Sequence, residues 1–424
     1  MRSPSLSRCL FLLPLVAACG GGDTPSSVLS LVTGDETDAF TRTPAPTEVV
    51  VLKVEDGAEV ARATLPRGDL ALADVLNEEL LNLRIEARDA SGGPLLVGFA
   101  GPIQGSELSG RALPVLVSRT FEFARLPGDV TSRKNPQVAV VDRRYLAIAD
   151  ETSDTTDLYD LLSLAPLPRP PKLPRAPKTL VPTGTKLIVV SDSGASTFDL
   201  ADSTTKSVSL PLDPSEILGA RSAVGSNGVT LVVGNTTHAS TKILRVAKDG
   251  TLSALDLAVP RLHPAITFVG GIGFIIVGGG DPAAATIEVL PEDGSATFPL
   301  SYVDVIGANV ATNAIGSTLL LTDGASVRSF DLTCRTTCVS RTWAAALVPF
   351  RPQTILPHPG TDRATIVGTK DDGETVAVAI DNAVVTAVPF RVPHFGATYA
   401  SFDGRHYFVG GATKVETIAL PKLP

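Results

Sequence analysis

The sequence predicts an all-β protein, a small sandwich followed by a closed ring of seven four-stranded units. Three observations predict it. Short apolar strands that end in a small residue recur from residue 146 to the end of the chain. The 424 residues include 37 glycines and 33 prolines without a strict period, which suits many tight turns and few long helices. The last unit lacks a fourth strand, while an unassigned strand lies just before the first unit.

The recurring strands are Leu146 to Ala149, Ile188 to Ser191, Leu231 to Gly234, Ile275 to Gly278, Leu319 to Thr322, Thr365 to Gly368 and Tyr407 to Gly410. Their last residues are spaced by 42, 43, 44, 44, 46 and 42. A near-constant period in this range marks a blade of four strands, so residues 119–424 read as a seven-bladed β-propeller. The continuous Val, Ile and Leu runs fit inner strands, because a strand packed on both faces loses its polar alternation. After Leu420 only Pro421, Lys422, Leu423 and Pro424 remain, which leaves the seventh unit one strand short. An open edge invites unwanted pairing. Thr120 to Leu126 (TFEFARL) puts Phe121 and Phe123 on one face and Glu122 and Ala124 on the other. Residues 120–126 are therefore expected to supply the missing outer strand and join the two ends of the ring.

Upstream, residues 47–118 read as short strands separated by turns. Glu48 to Val54 is followed by Asp56-Gly57 and Glu59 to Leu65. Asn82 to Asp89 alternates Leu83, Ile85 and Ala87 with Arg84, Glu86 and Arg88, the period of a half-buried strand. Gly92-Gly93, Pro94 to Ala100 and Ala112 to Val117 complete the set, and Leu70 to Leu81 has room for one helical turn. Regular strands with turn signals indicate a β-sandwich. The hairpin at Asp89 to Gly93 resembles that of bacterial Ig-like modules, which implies an Ig-like sandwich. Residues 19–46 are rich in Gly, Ser, Thr, Asp and Pro and read as a flexible tether, within which Val28 to Val32 has the pattern of a short strand.

Arg2 and Arg8 precede an apolar run from Cys9 to Ala18, so residues 1–18 read as a secretory signal peptide. The run is too short for a bilayer, which needs about 20 residues. Leu15-Val16-Ala17-Ala18-Cys19-Gly20 resembles the bacterial lipobox. That resemblance implies cleavage before Cys19, lipid on its sulfur, acylation (palmitate) of the new amine and a lipoprotein of the cell envelope. Two or more acyl chains anchor firmly where one does not. With Gly20 rather than Asp after the cysteine, the resemblance implies the outer membrane of a Gram-negative bacterium.

Cys9 leaves with the signal and Cys19 takes lipid, which leaves Cys334 and Cys338. In an oxidising compartment these two are expected to form a disulfide across a tight hairpin. A zinc site would need two further ligands, and the five histidines show no metal-binding spacing, so no metal is expected. Asp371-Asp372-Gly373-Glu374 reads as a solvated turn rather than a calcium loop, and Asp192-Ser193-Gly194 as an Asp turn. No G-x-S-x-G, P-loop or helix-opening G-x-G-x-x-G occurs, so neither cofactor nor catalytic site is expected. A formal charge of −8 argues against nucleic acid as a partner. One tryptophan, Trp343, disfavours families that repeat Trp in each blade.

Two units resemble kelch repeats. One has Arg261-Leu262-His263-Pro264-Ala265, Gly270-Gly271 and Ile275 to Gly279; the other has Arg391-Val392-Pro393-His394, Asp403-Gly404 and Phe408 to Gly411. The resemblance implies a kelch-like propeller, and it draws attention to the loop entering each innermost strand. Arg133, Arg175, Arg221, Arg261, Arg351 and Arg391 lie in that loop or at its end, with His263 and His394; the fifth unit has no such arginine. Such arginines either focus an anionic ligand at a channel mouth or brace neighbouring blades through carbonyls and carboxylates. The functional expectation is a monomeric, lipid-anchored, non-catalytic protein whose propeller binds a protein or a small anionic ligand. The alternative is an envelope enzyme acting on glycans, which predicts convergent acids or a tyrosine at the channel mouth.

Overall fold

The structure is a computed structural model that describes residues 28–54, 56–65, 81–103, 112–234, 238–280, 287–336, 338–345, 347, 349–358, 363–381, 384–402 and 405–420. The signal segment 1–18, Cys19 and the expected helical turn at 70–81, except Leu81 itself, lie outside these residues. The chain divides into two compact units, Met1–Arg119 and Thr120–Pro424. Among the described residues it is all-β apart from one short 3-10 turn, Pro214–Ile217. Among the described residues no helix is long and apolar enough to cross a membrane.

The first unit holds β1 (Val28–Val32), β2 (Glu48–Lys53), β3 (Glu59–Thr64), β4 (Leu81–Arg88), β5 (Pro94–Ile103) and β6 (Ala112–Arg119). Hydrogen bonds connect them in the order β1-β6-β5-β4-β2-β3. β6 changes partner along its length: Ala112 to Leu116 pair in parallel with β1, and Val117 to Arg119 pair antiparallel with β5. The expected tether 19–46 is thus corrected from Val28 onward. The apolar VLSLV segment buries Leu29 and gains a strand partner, which outweighs the loop-forming composition around it. The segment that follows is held by Arg119, whose guanidinium donates to the carbonyls of Ala39, Arg42 and Pro44. On β4 both faces are buried, because Arg84 and Glu86 form an ion pair at 2.5 Å on the face opposite Leu83 and Ile85.

The second unit begins with β7 (Phe123–Arg125) and continues through seven four-stranded antiparallel sheets. Sheet one is β8 (Gln137–Val141), β9 (Tyr145–Ala149), β10 (Thr156–Asp160) and β11 (Ala165–Pro166). Sheet two is β12 (Thr179–Thr183), β13 (Lys186–Ser191), β14 (Gly194–Asp199) and β15 (Thr205–Val208). Sheet three is β16 (Arg221–Val224), β17 (Thr230–Val233), β18 (Ser240–Val246) and β19 (Leu252–Arg261). Sheet four is β20 (Ala265–Val269), β21 (Gly273–Val277), β22 (Ile287–Leu290) and β23 (Phe298–Pro299). Sheet five is β24 (Ala311–Ile315), β25 (Thr318–Thr322), β26 (Val327–Asp331) and β27 (Arg341–Ala344). Sheet six is β28 (Arg351–His358), β29 (Arg363–Thr369), β30 (Thr375–Asp381) and β31 (Val384–Ala387). Sheet seven is β32 (Thr398–Phe402), β33 (Arg405–Val409) and β34 (Glu416–Ala419), with β7 as its fourth strand.

The first strands of successive sheets lie side by side and close on themselves. β8 touches β12 on one side and β32 on the other, and β16, β20, β24 and β28 follow one another. Hydrogen bonds bridge the remaining junctions. Thr179 donates to the Ile217 carbonyl at 2.8 Å between sheets two and three, and Gln353 to the Ala397 carbonyl at 2.5 Å between six and seven. This is the arrangement of a β-propeller. The apolar cores lie between neighbouring sheets: Ile275, Val277, Ile287 and Val289 of sheet four pack with Leu319, Leu321 and Phe330 of sheet five. Second strands are therefore buried on both faces, which accounts for their unbroken Val, Ile and Leu runs.

β7 pairs antiparallel with β34 through Arg125–Glu416, Ala124–Thr417 and Phe123–Ile418. The strand is shorter than the expected 120–126, because Phe121 adopts φ 64° and turns the chain before the ladder begins. Phe121 stacks on His358 at 4.3 Å. Phe123 is buried, stacks on Phe390 at 4.0 Å and meets Phe408 edge-on at 5.5 Å.

Candidate functional site

The loops entering the seven innermost strands gather at one end of the ring, and the structure sorts the candidate residues there into two groups. The sorting follows from one position on the third strand of each sheet. Asp157, Glu288 and Glu416 each pair with the penultimate residue of the second strand, Ile148, Ile276 and Phe408 respectively. Their carboxylates point back into the incoming loop.

In sheet one the Arg133 guanidinium donates to Asp157 Oδ2 at 3.2 and 3.3 Å, and the same oxygen accepts the Thr131 amide at 3.0 Å. In sheet four the pair is fully buried: Arg261 Nη2 donates to Glu288 Oε2 at 3.2 Å and Nη1 to the Gly278 carbonyl at 3.0 Å. Glu288 Oε1 accepts the Ala258 amide at 2.6 Å. Burial presses the Arg261 pKa down, against the opposing pull of Glu288. In sheet seven Glu416 accepts the amides of Arg391 and Val392 at 2.8 and 2.7 Å. The Arg391 side chain then turns to the closing strand and donates to the Phe123 carbonyl and to Glu122, both at 2.8 Å. His394 is buried, donates from Nδ1 to the Gly410 carbonyl at 2.7 Å and sits 3.4 Å from Glu416. Arg133, Arg261, Arg391 and His394 thus hold the fold together.

Sheet five, which lacks the arginine, carries the pair in reverse. The register position on its third strand is Arg328, opposite Leu321, and the acid is Asp304 in the incoming loop, 3.5 Å away. Sequence reasoning missed these four third-strand residues. A signal was present: an acid stands 24 residues after Arg133, 27 after Arg261 and 25 after Arg391, in each case within or at the edge of an apolar strand.

In sheets two, three and six the register position is Ala195, Leu244 and Val376, so the internal acid is missing. Arg175 instead donates to the Ser193 carbonyl at 3.1 Å and to its hydroxyl. Arg221 of sheet three donates to the carbonyl of Val310, the residue before the first strand of sheet five. Its side chain therefore reaches past sheet four towards sheet five. Burial holds the Arg221 pKa below the usual arginine range. Arg351 opens β28 and is exposed. His263 sits between them in the loop before β20, in a left-handed conformation (φ 49°). Its pKa is lowered first by burial and then by the charges of Arg221 and Arg351. The His263 carbonyl accepts the Asn309 amide beside the Val310 carbonyl bonded by Arg221, and Arg351 opens the strand next to β24, so the three residues share one end of the ring; Arg221 and Arg351 form no ion pair among the described residues.

The other candidate motifs are turns. Asp372 caps the Glu374 amide at 2.9 Å and Glu374 pairs with Lys370 at 2.6 Å, while Asp192-Ser193-Gly194 supplies the partner of Arg175. Among the described residues no three His, Cys, Asp or Glu side chains are grouped to hold a metal ion. Cys334 and Cys338 form a disulfide.

No family model and no curated protein matches the chain. Among solved structures, it is similar to virginiamycin B lyase from Staphylococcus aureus, with 15% identity, a TM-score of 0.49 and coverage of 71% of this chain and 100% of that one. It is also similar to the RRP9 WD40 repeats, with 11% identity, a TM-score of 0.45 and coverage of 71% and 98%. The propeller assignment rests on this chain's own strand order and closed ring of first strands.

Proposed function

We propose that the protein is a non-catalytic, lipid-anchored component of a bacterial cell envelope whose seven-bladed, kelch-like propeller is a binding platform. The observation that carries the reading is the division of the incoming-loop cations. Arg133, Arg261, Arg391 and His394 are consumed in bracing the ring, whereas Arg221, His263 and Arg351 converge without an internal acid. Cys19 would carry the lipid, and the first unit would be an Ig-like spacer, a reading supported by its strands and by β6, which pairs with β1 along one part and β5 along the other. A rigid ring with variable loops suits recognition, because the scaffold positions loops without demanding chemistry of them.

Two experiments test this reading. Labelling of cells with a palmitate analogue should mark the protein and fail with Cys19→Ala. A photo-crosslinking residue at position 351 should yield a defined adduct in intact cells. The same residue at Ser317, at the opposite end of the ring, should not. Equal adducts from both positions, or label retained by Cys19→Ala, would overturn it. Hydrolysis of an envelope glycan by the purified protein would favour the enzyme alternative instead.

A further inference from the structure

We propose that Arg221, His263 and Arg351 form an oxyanion site that takes a dianionic phosphate group, as in a phosphomonoester. The proposal rests on the binding-platform reading and names what the platform binds. Repetition within the chain gives the first reason. Sheets one, four, five and seven each supply an opposite charge at the same register position, while the sheets carrying Arg221 and Arg351 place Leu244 and Val376 there. An arginine is retained where its internal partner is absent.

The second reason is energetic. Arg221 is half-buried, and the hydrogen bond its side chain makes among the described residues goes to the neutral carbonyl of Val310. A charge partly withdrawn from water without a counter-charge is unfavourable, and a bound anion would relieve it. The His263 carbonyl accepts the Asn309 amide at 3.3 Å, next to the Val310 carbonyl that Arg221 bonds, and Arg351 opens β28 beside β24, which begins at Ala311; the charges of Arg221 and Arg351 both bear on the imidazole. With His263 neutral the cluster carries two positive charges within a chain of formal charge −8. A dianion matches that count, whereas a carboxylate leaves one charge uncompensated. Guanidinium forks also match the spacing of phosphate oxygens. Arg351 is exposed, which leaves the cluster open to solvent on its sheet-six side.

The test is titration of the purified full-length chain at pH 7.5 and constant ionic strength, by calorimetry and by phosphorus NMR. The probes are glycerol 3-phosphate, inorganic phosphate and acetate. Saturable binding of both phosphates is expected, at least tenfold tighter than acetate. Arg351→Gln is expected to weaken it at least tenfold, and Arg221→Gln further. Lys206→Gln, on an outer strand of sheet two, is expected to leave it unchanged. Because Arg351 is exposed, its replacement should leave the circular dichroism spectrum and melting temperature intact, so loss of binding in that variant reports on the site. Absence of saturable phosphate binding, equal affinity for acetate, or unaltered binding by Arg351→Gln would overturn the proposal. A defined cross-link from position 351 with no phosphate binding would sink the ligand class and leave the platform standing.

Discussion

Ring closure by a strand from the far end of the unit predicts a large effect from one side chain. Phe123 is 1% exposed and contacts both Phe390 and Phe408. Truncation of a buried phenylalanine to alanine costs about 3–5 kcal/mol, from lost transfer energy and from the cavity left behind. The second unit spans Thr120–Pro424, and an unfolding entropy of about 2.1 cal/mol/K per residue gives about 0.6 kcal/mol/K for roughly 300 residues. Phe123→Ala should therefore lower the melting temperature of that unit by about 5–8 °C. Thermal unfolding followed by near-ultraviolet circular dichroism measures this, with Val303→Ala as the comparison because Val303 is 88% exposed. The variant should also become open to proteases near Glu416–Ala419, where β34 loses its cover. A shift below 2 °C, or equal shifts for the two variants, would refute the idea that β7 closes the ring.

Three further outcomes are expected. Arg261→Met should destabilise by about 3–5 kcal/mol because it strands the buried Glu288 carboxylate, and the double variant with Glu288→Met should recover most of that, as read from urea midpoints. Gly279→Ala should cost more than Gly294→Ala: both have positive φ, but a Cβ on Gly279 would overlap the Leu262 carbonyl, whereas nothing lies within 4 Å of one on Gly294. His358 is pushed down to about 4, first by burial and then by Arg363. The unfolded chain, with an ordinary histidine near 6.5, then binds the proton more readily, so stability falls as pH drops from 6.5 towards 4. The share of His358, about 2 kcal/mol between pH 7 and pH 5, should appear as the difference between the parent chain and His358→Asn in urea titrations at the two pH values.

The fold was legible where physics repeats itself. Each second strand is buried on both faces, so each spells out an apolar run, and seven such runs at one spacing carry the architecture. The gap after Leu420 and the alternation around Phe123 pointed to each other for the same reason. The roles of the arginines were less legible, because a guanidinium is defined by its partner. Arg133 and Arg351 look alike in sequence, yet one meets Asp157 on the third strand of its sheet and the other meets no acid there. VLSLV was legible as a short strand, but its pairing was not, since its partner β6 lies some eighty residues away.

The pairing of Phe123 with Ile418 also sets an order of events. Residues 123–125 must wait, without their ladder, until residues 416–418, about 290 positions later, have been synthesised. Sequence-distant pairing of this kind is slow to form. During that interval β7 is an unsatisfied edge, and the acids and arginines that will later clasp it, Glu122 and Arg391 among them, are apart. The seam between β7 and β34 is therefore the last part of the ring that can form, and a chaperone that shields it would have to act late rather than early.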